Sequence, residues 1–127
     1  MAPKVLLVDD DVDFVKINQA HLEKAGFEVL TAYDGQEGLE RARQSRPDVM
    51  VLDYMMARPT EGAFVAQEMK DDPELKDIPI LLLTSVGAKH PWWRVQKDDQ
   101  YLPVDEFLDK PVPPERLVEE VRKLLKA

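Results

Sequence analysis

The sequence predicts a doubly wound α/β domain, a parallel sheet of five strands with helices on both faces. Two observations carry that prediction. Residues 4–8, 49–52 and 80–83 are short, almost wholly apolar runs rich in Val, Leu and Ile, as in strands buried on both sides. Between them lie stretches with apolar residues at helical spacing, joined by short connections, which is the alternation of a βαβ fold.

Taken in order, Lys4–Val8 is a central strand that ends at Asp9-Asp10-Asp11. The following helix carries Phe14, Ile17, Leu22 and Ala25 on one face and is closed by Gly26 in the position after its C-cap. Residues 27–32 alternate apolar and polar, as a half-buried edge strand does, and Asp34-Gly35 supplies a turn. A short polar helix over 38–45 stops before Pro47, and residues 49–52 form a fully apolar strand running into Asp53. After a loop over 54–61, a helix over 63–70 places Phe64, Val65 and Met69 at helical spacing, and Asp72-Pro73 ends it because proline disfavours helical geometry in the residue before it. Residues 80–83 are the fourth strand. The least regular text lies between Ser85 and Val104, where Gly87, Pro91 and Pro103 enclose Trp92-Trp93, and one short or distorted helix is expected there. A brief fifth strand over 106–108 precedes Pro113-Pro114, which opens a last helix with Leu117, Val118, Val121, Leu124 and Leu125 on one face.

A chain of 127 residues fits one domain, so residues 1–127 are read as a single unit. The formal net charge of −8, with no cluster of Lys and Arg, argues against a nucleic-acid surface. The absence of cysteine rules out disulfides and thiolate metal sites and suits a reducing compartment. No apolar run approaches the length of a membrane span and no signal-peptide pattern opens the chain, so a cytoplasmic location is expected.

Four hydrophobic runs end on polar residues: Val8-Asp9-Asp10, Leu52-Asp53, Leu83-Thr84-Ser85 and Leu108-Asp109-Lys110. In an open α/β sheet the carboxyl ends of the strands form the ligand crevice. Asp9 and Asp10 would repel each other and Asp53 there unless a cation lay among them, and magnesium, a hard ion held by a few carboxylates and waters, meets that need. Asp53, projecting from the end of a central strand, is the best-placed carboxylate to attack phosphorus. Lys110 can pair with one phosphoryl oxygen, Thr84 can donate to a second, and the cation can hold the third.

These same residues resemble the signature of two-component response-regulator receiver domains, in order and at roughly the expected intervals, over essentially the whole chain. The resemblance implies a flavodoxin-like sheet of order 2-1-3-4-5 and a phosphoacceptor domain with no enzymatic turnover beyond self-phosphorylation from a phosphodonor and autodephosphorylation. It makes Asp53 the phosphoacceptor. It assigns Mg2+ to Asp10, Asp53 and the backbone carbonyl of Met55 directly, with Asp9 acting mainly through water. Thr84 and Lys110 would contact the phosphoryl group, and Phe107, three residues before the lysine, takes the place of the switch aromatic. The implied partners are a sensor histidine kinase or phosphotransfer protein and an unknown downstream protein, with no membrane and no nucleic acid. No output domain is expected after Ala127, so the signal is expected to pass through a separate partner or phosphorylation-dependent self-association.

The sequence departs from the family pattern in two places. The loop after Asp53 has Ala57 where proline is usual, with Pro59 and Gly62 displaced, so it looks one residue longer. The stretch from Thr84 to Lys110 is also longer and holds Pro91, Trp92 and Trp93 where a regular fourth helix is expected. Simpler roles compete with the functional ones: Asp11 is expected to cap the first helix, His21 and His90 to be packing or boundary residues, and the Trp pair to divide between core packing and a partner patch. The alternative to phosphoacceptor signalling is a receiver-like interaction module that works without phosphorylation. A phosphohydrolase would want a carboxylate where Met55 stands, and a dinucleotide-binding loop would not carry three aspartates.

Overall fold

The computed structural model describes residues 2–54, 61–84 and 104–126, and for Thr84, Phe107, Asp109 and Lys126 the backbone alone. The elements run β1 (Lys4–Val8), α1 (Val12–Lys24), β2 (Glu28–Ala32), α2 (Gly35–Ser45), β3 (Val49–Asp53), α3 (Glu61–Asp71), β4 (Ile80–Thr84), β5 (Glu106–Asp109) and a C-terminal helix, α4 (Pro114–Lys126). The expected helix within 86–104, with Trp92, Trp93 and His90, lies outside the described residues, as do Met55, Ala57 and Pro59.

All five strands pair in parallel in the order β2-β1-β3-β4-β5, the order the family resemblance implied. The continuous apolar runs are explained by cores on both faces of this sheet. Leu6, Val8, Met50, Leu52, Ile80 and Leu82 point to one core, which takes in Leu39, Val65 and Met69 from α2 and α3. Their neighbours Val5, Leu7, Val49, Val51, Leu81 and Leu83 point to the other, with Val15, Leu22, Leu117 and Val121 from α1 and α4. A strand with period-two geometry and two covered faces must be apolar at every position. Each fully buried Val or Leu contributes about 1.5–3 kcal/mol of transfer free energy.

The helix termini follow their local chemistry. Asp11 caps α1 by accepting from the Phe14 N–H at 3.1 Å, as expected. Gly26 takes φ +103 after that helix, a left-handed conformation that favours glycine. Asp34 caps α2 by accepting from the Glu37 N–H at 2.8 Å, so this helix begins at Gly35, three residues before the expected start at Gly38, and the Asp34-Gly35 pair is its cap, not a free turn.

Two residues assigned to apolar stripes are exposed. Ile17 on α1 is 52% exposed and Phe64 on α3 is 60% exposed. The buried side of α1 is Val15, Asn18 and Leu22, and that of α3 is Gly62, Val65, Ala66 and Met69. Helical periodicity allowed either stripe. Docking against the sheet decided between them, and on α1 it buried the polar Asn18, whose Nδ2 donates to the Phe14 carbonyl at 2.8 Å.

The sheet order reverses beside β1: the chain moves from β1 outward to β2, then returns to β3 on the other side. β1 and β3 therefore lead to helices on opposite faces of the sheet, α1 on one and α3 on the other, and a crevice lies at their carboxyl ends.

Candidate functional site

β1 delivers Asp9 to this crevice. Its backbone N–H donates to the Ala32 carbonyl at 3.1 Å, extending the ladder one step beyond β1, and its side chain is 1% exposed. One carboxylate oxygen, Oδ1, accepts from the Asp11 N–H at 2.9 Å, which locks the turn into α1. The other accepts from Lys110 Nζ at 2.8 Å. The three consecutive aspartates thus have separate surroundings: Asp9 turned inward, Asp10 exposed, Asp11 engaged as a helix cap.

Asp53 is the last residue of β3 and is 5% exposed. The next residue continues the sheet, with the Tyr54 N–H donating to the Leu83 carbonyl at 2.7 Å. Lys110 follows β5, its peptide to Pro111 is cis, and its Nζ lies 3.4 Å from Asp53 Oδ1. A carboxylate oxygen from each of Asp9, Asp10 and Asp53 lies within 4.8 Å of the others. Residues from three distant parts of the chain are thus brought together with one ammonium among them.

Burial and the charge of Asp9 push the Asp53 carboxyl from 3.8 up to about 7, against the pull of the Lys110 ammonium. Burial alone would lower the Lys110 ammonium, but its hydrogen bond to Asp9 and the charges of Asp53 and Asp9 outweigh that and hold it above 10.5. Among the described residues the cleft sets three carboxylates against one lysine. An all-oxygen donor set with surplus negative charge fits a hard divalent cation.

Of the other expected site residues, Thr84 ends β4, in register with Asp109 on β5, so its backbone stands at the same carboxyl edge as Asp53. Phe107 lies within β5, in register with Leu82. The carbonyl assigned to Met55 and the side chains of Thr84 and Phe107 lie outside the described residues. His21 is exposed on α1 with Nδ1 3.0 Å from the Ile17 carbonyl, in keeping with a boundary residue.

Two neighbours of the site escaped the sequence reading. Gly62, noted only as displaced, packs the first turn of α3 directly on the end of β3: its N–H donates to the Tyr54 carbonyl at 3.0 Å, and a Cβ there would lie 2.5 Å from the Asp53 carbonyl oxygen. A glycine nine residues after Asp53 was the available signal. Phe14, assigned to the core stripe, sets its ring 4.5 Å from Lys110 Nζ, and no spacing in the sequence pointed to that pair.

A five-stranded doubly wound sheet with an acidic cluster and a lysine at its carboxyl edge is the architecture of a phosphoacceptor signalling domain. The chain belongs to the response regulator receiver domain family, which it matches over residues 5–122. It is 35% identical over 98% of its length to the DNA-binding dual master transcriptional regulator RpaA of Synechocystis sp., covering 49% of that protein. The chain spans about half the length of the first curated relatives it matches. Over 98% of both chains it is 27% identical to the polar-differentiation response regulator DivK of Brucella anthropi. Among solved structures it is similar to the chemotaxis response regulator CheY4 of Vibrio cholerae, with a TM-score of 0.83, 29% identity and coverage of 98% of this chain and 99% of that one. Asp9, Asp10 and Asp53 form the acidic cluster typical of a receiver's magnesium site, and receiver domains interact with histidine kinases. Among the described residues no helix is long and apolar enough to cross a membrane.

Proposed function

We propose that residues 1–127 form one receiver domain that accepts a phosphoryl group on Asp53 from the phosphohistidine of a sensor kinase or phosphotransfer protein, in the cytoplasm and with Mg2+. The observation that carries this reading is the convergence of Asp9, Asp10 and Asp53 within 4.8 Å, with Lys110 Nζ 2.8 Å from Asp9 and 3.4 Å from Asp53.

In the transfer, a carboxylate oxygen of Asp53 attacks phosphorus. The bond from phosphorus to the donor nitrogen breaks, and its electron pair stays on the imidazole, which takes up a proton on leaving. The product is an acyl phosphate on Asp53. Asp10, Asp53 and the Met55 carbonyl would hold magnesium directly and Asp9 through water. When bound, the ion supplies positive charge against the carboxylates and the phosphoryl oxygens. The Lys110 ammonium pairs with one phosphoryl oxygen and the Thr84 hydroxyl donates to another, so charge on the transferred group is met as it arrives.

Ionised Asp53 is the nucleophile, so a carboxyl held near 7 by burial and Asp9 is poised to respond to added positive charge. Once phosphorylated, Asp53 would draw Thr84 inward and release Phe107 to another rotamer. That shift would alter the surface carried by β5, α4 and the preceding segment, and pass the signal to a downstream protein or a second copy of the chain.

Intact-mass measurement with acetyl phosphate, with and without magnesium, tests the proposal. One added phosphoryl unit is expected with magnesium, and none in Asp53→Asn. If the wild-type chain gains none, and Asp53→Asn binds partners as the parent does, the domain acts as an interaction module without phosphorylation.

A further inference from the structure

Phe14 enters no step above, yet its ring centroid lies 4.5 Å from Lys110 Nζ, the same ammonium that donates to Asp9 at 2.8 Å and lies 3.4 Å from Asp53. We infer that Phe14 is a positioning residue for phosphoryl transfer: its ring keeps the Lys110 ammonium beside Asp53 while that ammonium exchanges Asp9 for an oxygen of the incoming phosphoryl group. The inference rests on the role proposed above for Lys110.

The physical reason lies in how the two kinds of contact depend on geometry. A hydrogen bond to a carboxylate is short and directional, so an ammonium that shifts to aim one of its three N–H groups at phosphate weakens its 2.8 Å contact to Asp9. The face of an aromatic ring attracts a cation over a broad area, so the ring retains the cation as the directional partner changes. Lys110 is 21% exposed, and partial loss of water strengthens such an attraction.

Phe14 is itself held firmly. Its N–H donates to the Asp11 cap at 3.1 Å, and its carbonyl accepts from Nδ2 of Asn18, which is 2% exposed. Two side chains thus clamp its backbone in the first turn of α1. Filling an apolar helix face does not require an aromatic residue, since leucine would serve equally; attracting an ammonium does.

The test compares wild type with Phe14→Leu, Phe14→Tyr and a series carrying one to three ring fluorines at position 14. Two quantities are read: the rate of phosphorylation by acetyl phosphate with magnesium, and the NMR shift of the Lys110 ε-methylene protons. The expected result is a ring-current displacement of those protons in wild type that Phe14→Leu abolishes. The rate should fall about five- to tenfold in Phe14→Leu, be restored by Phe14→Tyr, and decline stepwise with each fluorine. Simple packing would leave the fluorine series flat.

Absence of the displacement in wild type overturns the inference, as does a wild-type rate in the trifluorinated protein. Should Phe14→Leu fail to fold, the tyrosine and fluorinated proteins decide. A wild type that reacts no faster than its leucine variant defeats the positioning role alone, whereas a wild type that takes no phosphoryl group defeats the proposed function and the positioning role with it.

Discussion

Lys110 Nζ donates to Asp9 Oδ2 at 2.8 Å across a sequence separation of 101 residues, and lies farther, at 3.4 Å, from Asp53 Oδ1. Before phosphorylation the lysine is therefore bound chiefly to the aspartate that is not the proposed acceptor. Its transfer to the phosphoryl group would be the first change that the rest of the domain can register.

Lys110→Ala should accordingly keep the fold and still take up a phosphoryl group, but lose the link between phosphorylation and the output surface. Partner affinity, or self-association measured by analytical ultracentrifugation, should be the same in the phosphorylated and unphosphorylated variant. A wild-type response in that variant would contradict the role.

The raised Asp53 carboxyl makes stability depend on pH in metal-free buffer. Its folded value, about 7, lies above its ordinary 3.8, so the folded state holds the proton more tightly than the unfolded chain. Stability from this group is fully present below pH 3.8 and is lost as pH rises through about 7. The shift corresponds to a loss on the order of 4 kcal/mol at full ionisation. Asp53→Asn should match wild type near pH 4 and melt more than about 5 °C higher at pH 8. Magnesium, which favours the ionised carboxylate, should raise the wild-type melting temperature at pH 8 more than that of Asp53→Asn. Parallel melting profiles for the two proteins across this range would remove the electrostatic account.

Gly62→Ala forces a Cβ to 2.5 Å from the Asp53 carbonyl oxygen and from the Tyr54 Cα, both backbone atoms that cannot swing aside. A loss of more than about 2 kcal/mol in urea unfolding is expected, together with slower phosphorylation as the acceptor strand shifts. Gly38→Ala meets only side-chain atoms of Val8, at 3.0 Å and beyond, and should cost less.

The three adjacent aspartates should separate by phenotype. Asp11→Ala removes a helix cap and should lower stability by about 1 kcal/mol while leaving magnesium affinity near wild type. Asp10→Ala should weaken magnesium binding, read by titration calorimetry, with little change in melting temperature in metal-free buffer, because Asp10 is exposed. Asp9→Ala should affect both, since Asp9 is buried and holds Lys110 and the Asp11 backbone.

The strands were the most legible part of the chain. Each fully apolar run proved to be a strand, because residues covered on both sides must be apolar at every position. Asp9, Asp10, Asp53 and Lys110 stood out for the complementary reason: charged residues that follow such runs have no packing role there, and the fold brings them to one cleft. Helix faces were less legible. Ile17 and Phe64 fit an apolar stripe by spacing and yet are exposed, since a spacing of three or four residues describes more than one face of a helix. Asn18, polar and buried, had no signal at all.

Composition and order along the chain thus determined the fold class, the strand positions and the membership of the acidic cluster, because these follow from which residues water rejects and which it does not. Only the tertiary structure decided that Lys110 binds Asp9 more closely than Asp53, that Gly62 presses on the end of β3, and that Phe14 faces an ammonium. These contacts join residues separated by many positions, and their distances are set by how helices settle on the sheet, a balance of packing that no local pattern encodes.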